Sequence, residues 1–76
     1  MNKIEKIGQK IREARQGLNL STKEVGNRTN TTQQYVCLIE LGRHNPTLTK
    51  LDKLADAVGL SVDVVPKTNR NESENN

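Results

Sequence analysis

The chain has 76 residues, 12 Lys and Arg against 9 Asp and Glu for a formal net charge of +3, and 32% hydrophobic residues. That is room for one small domain with a mild bias toward polyanions, and the single Cys37 and single His44 leave neither an internal disulfide nor a zinc cluster. No apolar run has the length of a membrane span or the layout of a signal peptide, so a cytoplasmic protein with no membrane contact is expected.

Ile4, Ile7, Ile11 and Ala14 recur at helical spacing and predict an amphipathic first helix ending near Gly17, with Lys3, Glu5, Lys6, Lys10, Arg12 and Glu13 on its other faces. Leu18 and Leu20 are expected to anchor its exit. Ser21 with Glu24 three residues on reads as a capping box, so a second helix starts there. Val25 and Gly26 give it an apolar position beside a very small one, and Asn30 suits the left-handed residue of a sharp turn. Thr32 is a good N-cap for a third helix, Gln33 to Glu40. Val36 and Ile39 then lie on its core face, while Gln33, Gln34, Cys37 and Leu38 face away.

Gly42 suits a helix end, and Pro46 closes a loop holding Arg43, His44 and Asn45. Thr47 caps a fourth helix whose Leu48, Leu51, Leu54, Ala55 and Val58 form a core stripe, with Gly59 as the stop. Lys50 and Lys53 share its outer faces with Asp52 and Asp56. In Leu60 to Pro66, Leu60, Val62 and Val64 alternate with Ser61 and Asp63, β-branched residues dominate, and Val65 precedes Pro66. That pattern predicts a strand rather than the short fifth helix that Ser61 could cap. The sequence offers no second strand, so its backbone partner is expected from another copy, in an antiparallel ribbon across a two-fold dimer. Lys67 to Asn76 contains no apolar residue and is expected to be a disordered tail, leaving residues 1–66 as the folded domain.

Ser21 to Glu40, continued through Gly42, Pro46 and the Thr47 to Leu60 segment, resembles the helix-turn-helix domains of lambdoid phage repressors and Cro, the Xre family. The resemblance implies a mostly α domain of four to five short helices, here with a short C-terminal β-strand pairing across a homodimer. That family usually has Gln where Thr22 stands and Gly where Asn30 stands. It also implies an ion pair between Arg15, on the first helix, and Glu40, at the end of the third. The ending N-P-T-L-T through G-L-S-V-D-V-V-P-K is similar to HipB-like antitoxins, which dimerise through a C-terminal strand and repress their own operon. The dimer strand is accordingly placed on Leu60, Val62, Val64 and Val65.

In such a domain the third helix enters the major groove, where only residues near its N-terminus and on its outer face reach base edges. Those are Thr32, Gln33, Gln34, Cys37 and Leu38. A glutamine amide can bond adenine bidentately, and Thr32, Cys37 or Leu38 can pack on a thymine methyl. Thr22, Tyr35, Arg43, His44 and Asn45 are expected to hold backbone phosphates. No nucleophile and base, paired acids or phosphate-binding glycine loop points to an enzyme, and no cofactor is expected. The expected function is a homodimeric repressor on palindromic double-stranded operator DNA, as a HipB-like antitoxin with a HipA-like kinase toxin as a possible partner. A phage-type repressor or restriction-modification controller protein is the alternative, and a protein-binding adaptor is the alternative of another class.

Overall fold

The computed structural model describes residues 2–62 and folds them into four helices: α1 (Lys3–Gly17), α2 (Thr22–Arg28), α3 (Gln33–Glu40) and α4 (Leu48–Ala57). Each helix starts on a side chain that accepts one of its orphan N–H groups. Asn2 accepts from Glu5 at 2.8 Å, Ser21 from Glu24 at 3.0 Å, Thr32 from Tyr35 at 3.0 Å and Thr47 from Lys50 at 3.2 Å. The Ser21–Glu24 box is the expected one. Asn2 and Glu5 form a second, which sequence periodicity does not register.

All four helices end the same way. The residue after each C-cap is left-handed, Asn19 (φ 58), Asn30 (φ 57), Gly42 (φ 71) and Gly59 (φ 79). In each case the next N–H reaches back to a carbonyl five residues earlier: Leu20 to Arg15, Thr31 to Gly26, Arg43 to Leu38 and Leu60 to Ala55. These are Schellman ends, which close the last carbonyls and turn the chain sharply. Each connection therefore leaves its helix at a fixed angle, and short links suffice to fold α1 to α4 around one core.

That core is Ile11, Val25, Val36, Ile39, Leu54 and Val58, with Ile7, Ala14, Leu20, Tyr35, Leu51 and Leu60 packed against it. Two leucines depart from expectation. Leu18 is 53% exposed and Leu48 is 57% exposed, so Leu20 alone anchors the exit of α1 and the α4 stripe begins at Leu51. Both sit at a helix boundary, Leu18 as the α1 C-cap and Leu48 as the first residue of α4, where no second element lies over the side chain. Leu60 also reads differently in three dimensions. Its N–H is taken by Ala55 at 2.8 Å and its side chain packs on the core, so Leu60 closes α4 rather than opening a strand. Val62 is half-buried without regular structure, and Val64 and Val65 lie outside the described residues, as do residues 67–76. Among the described residues no helix is long and apolar enough to cross a membrane.

Glycine sets two of the helix contacts. A Cβ at Gly26 would lie 2.9 Å from the Thr32 carbonyl carbon, so α3 can start this close to α2 only because Gly26 has none. A Cβ at Gly8 would fall on the carbonyl oxygens of Ile39 and Glu40, at the end of α3. Gly8→Ala is therefore expected to destabilise the fold, because overpacking against backbone costs about 1–3 kcal/mol and the gain in helix propensity returns about 1 at most. Gly17, with nothing within 4 Å of its would-be Cβ, should show the propensity gain alone on substitution by Ala. Urea denaturation separates the two, and a Gly8→Ala variant as stable as Gly17→Ala would contradict the close approach.

Glu24 adds a pH dependence. The Ser21 backbone N–H, and with it the Ser21 hydroxyl, holds the Glu24 carboxyl below the usual carboxylate range. Its contribution is complete above the unfolded carboxylate pKa of about 4.3 and is lost as pH falls through the lower folded value. Thermal melts below about pH 4.3 should decline more steeply for the wild type than for Glu24→Gln, and parallel declines would count against the box.

Candidate nucleic-acid interface

The exposed face of α3 is held from behind by one ion pair. Arg15 Nε lies 2.7 Å from Glu40 Oε2 and Nη2 donates to Oε1 at 3.0 Å, with the two side chains only 13% and 6% exposed. A third nitrogen, Nη1, donates to the Leu20 carbonyl at 2.9 Å. One guanidinium thus joins the end of α1, the α1–α2 connection and the last residue of α3, in the bidentate geometry that carboxylates favour. The bond to Glu40 raises the Arg15 pKa against the opposing effect of burial.

The turn before α3 is equally constrained. Thr29 is 7% exposed, and its hydroxyl bonds the Val25 carbonyl at 2.8 Å and the Thr31 hydroxyl at 2.8 Å. With Asn30 left-handed and Thr31 N–H on the Gly26 carbonyl at 2.8 Å, the α2–α3 angle is set by bonds within the motif. Helix α3 then presents two rows of side chains four residues apart. Gln34 and Leu38 form the exposed row, Leu38 being 41% exposed, while exposed Gln33 shares the other with half-buried Cys37. Thr32 is exposed at the cap. Four of the five expected base-contacting residues thus stand on open surface, and Cys37 lies at its edge.

The backbone-contact set is less uniform. Arg43, His44 and Asn45 are exposed in the α3–α4 loop, whose exit is fixed by Arg43 N–H on the Leu38 carbonyl at 2.9 Å, and Thr22 is half-buried as the first residue of α2. Tyr35 requires a correction. Its hydroxyl is buried with no hydrogen-bond partner among the described residues, and burial pushes the phenol pKa up, so as placed the hydroxyl has no access to a phosphate. The ring works as a platform instead. His44 meets it edge-on, with centroids 5.1 Å apart and planes at 65°, and the Lys50 ammonium sits 5.5 Å from its centroid. Lys50 thereby joins the rim of the α3 face, a placement that helical spacing in α4 does not reveal because it depends on how α4 crosses α3. No group of three His, Cys, Asp or Glu that could hold a metal ion occurs among the described residues.

Two short helices locked at a sharp turn, the second with an open polar face, define a helix-turn-helix unit. The helix-turn-helix family matches residues 11–65, and the chain belongs to it. It is 38% identical over 63 residues to an uncharacterised HTH-type transcriptional regulator, y4dJ, of Sinorhizobium fredii, a match covering 82% of each protein. It is 30% identical over 59 residues to the immunity repressor protein of Bacillus phage phi105, covering 78% of this chain and 41% of the repressor. Among solved structures, the restriction-modification controller protein C.AhdI from Aeromonas hydrophila is similar with a TM-score of 0.71 and 31% identity, over 76% of this chain and 84% of that one.

Removing either partner of the Arg15–Glu40 pair strands the other charge in a mostly buried place. Glu40→Ala and Arg15→Ala are each expected to cost on the order of 3 kcal/mol in chemical denaturation, and the double variant less than the sum. Single variants of near wild-type stability would show that the pair does not hold α3.

Proposed function

We propose that this protein is a sequence-specific DNA-binding repressor, with α3 lying in the major groove and the Arg43–Asn45 loop along the phosphate backbone. The observation that carries the reading is the exposed Thr32, Gln33, Gln34 and Leu38 surface on a helix held at both ends, by the Thr29–Thr31 turn and by Arg15. A rigid helix offering side-chain amides at its N-terminal end suits base readout. In this reading Gln33 and Gln34 bond bases, Leu38 and Thr32 pack on thymine methyls, and Thr22, Arg43, His44 and Asn45 hold phosphates. Tyr35 supports His44 and Lys50 from beneath.

The repressor works as a homodimer in this reading, because a folded core of roughly 60 residues is marginal alone and a palindromic site needs two recognition helices about one helical turn apart. Residues 1–66 form the folded unit and 67–76 a polar tail. The alternation of Val62 and Val64 with Ser61 and Asp63, and the β-branched Val65 that follows, support pairing of two copies along this segment, beginning after Leu60. Repression follows from occupation of an operator that overlaps a promoter. The named relatives, an immunity repressor and a controller protein among them, support a phage-repressor or controller type. A HipB-like antitoxin with a HipA-like kinase partner rests on the likeness of the ending from Asn45 to Lys67 alone and gains nothing from those relatives. The adaptor reading predicts no DNA binding at all.

Competition binding over a library of variant sites tests the roles. Gln33→Ala should lose about 1–3 kcal/mol of discrimination at particular base pairs, while Arg43→Ala should weaken all sequences alike and lower the salt dependence. An unchanged specificity profile for Gln33→Ala would remove it from base readout.

A further inference from the structure

The backbone donors named above include few charges. Of Thr22, Arg43, His44 and Asn45, Arg43 alone is permanently charged, whereas tight binding to duplex DNA draws on the release of counterions by several cations. The structure places further cations on the same side. Lys50 stands over Tyr35, and Lys50 and Lys53 together line a cleft of about 220 Å³ between α4 and the α2–α3 turn. The cleft's other walls are Thr29, Asn30 and Thr31, so no acid lines it. A neighbouring cleft, which shares Lys53 with the first, is lined by Arg28 and also by Asp56. Both lysines and Arg28 are exposed, and among the described residues Arg15–Glu40 is the ion pair present, so no carboxylate of those residues lies within 4 Å of any of the three, although the Glu24 charge acts on Arg28.

We infer that Lys50 and Lys53, with Asn30 and Thr31 beside them, form a second backbone-contact strip that takes phosphodiester groups of duplex DNA on the turn side of α3. The inference rests on the DNA-binding reading and extends its footprint from the α3–α4 loop to the first two turns of α4. Lys50 is the better defined of the pair, because the Tyr35 face restrains its ammonium at the edge of the cleft it shares with Thr29, Asn30 and Thr31. Phosphate is the fitting ligand, since the cleft offers two ammonium groups and the Asn30 amide as donors and no apolar anchor, the Thr29 and Thr31 hydroxyls being bonded within the turn.

The test is fluorescence anisotropy with two duplexes of equal length, one from the region upstream of the protein's own gene and one of random sequence, over a salt series. The wild type is compared with the Lys50→Gln, Lys53→Gln double variant and with a Lys6→Gln, Lys10→Gln double variant on α1 that removes the same charge elsewhere. The strip predicts a slope of log affinity against log salt smaller by roughly 2 for the α4 pair and an affinity loss of at least about tenfold near 0.1 M salt. The loss should be equal on both duplexes, and the α1 pair should show little change. Equal effects of the two double variants, or an unchanged slope for the α4 pair, would overturn the strip while leaving the DNA-binding reading intact. Wild-type protein that binds neither duplex at low salt would overturn that reading, and the strip with it. Thermal melts of both double variants confirm that folded protein is being compared.

Discussion

The Arg15 guanidinium is the constraint on which the reading surface depends. Its nitrogens reach Glu40 and the Leu20 carbonyl, so α1, its exit and the end of α3 move as one body. Without that link, α3 would be an eight-residue helix held by Val36 and Ile39 and the capping bonds at its ends. Helices this short are marginal on their own, and their order comes from tertiary contact. A helix that must align amides with base edges needs its supporting contacts rigid, because small displacements break bidentate geometry.

The same economy appears in how the backbone is closed. Four side-chain caps and four Schellman ends satisfy the helix termini and set the chain direction, and Gly26 lets α3 begin against α2. At the end of α3 the motif does two jobs. It turns the chain at Gly42 and delivers Arg43, His44 and Asn45 to the surface beside the exposed row of α3. The basic loop and the amide-bearing face are therefore a single rigid unit, and Tyr35 extends that unit to α4 through His44 and Lys50.

Much of this is legible in the residues because it is local. The Ser21 box, the Thr32 and Thr47 caps and the left-handed Asn30 depend on neighbours within four positions, and the core of Ile11, Val25, Val36, Ile39, Leu54 and Val58 follows helical spacing. The Arg15–Glu40 contact spans 25 positions and is implied by family likeness alone. What stayed hidden depends on crossing geometry. Gly8 looks like an indifferent helix residue until α3's last carbonyls are laid over it. Leu48 fits the apolar stripe by spacing, but nothing covers the first turn of α4 there. Tyr35 reads as a surface donor until its hydroxyl is found buried, and Leu60 reads as a strand residue until α4 claims its N–H.

The most direct test of the central claim, that the outer face of a clamped α3 meets DNA, is an NMR titration of isotopically labelled protein with a duplex from the region upstream of its gene. The account predicts that the side-chain amide signals of Gln33 and Gln34 shift together with backbone signals of 32–38 and 43–45, while Lys6 and Lys10 on α1 stay in place. Shifts confined to α1, or none at low salt, would contradict it.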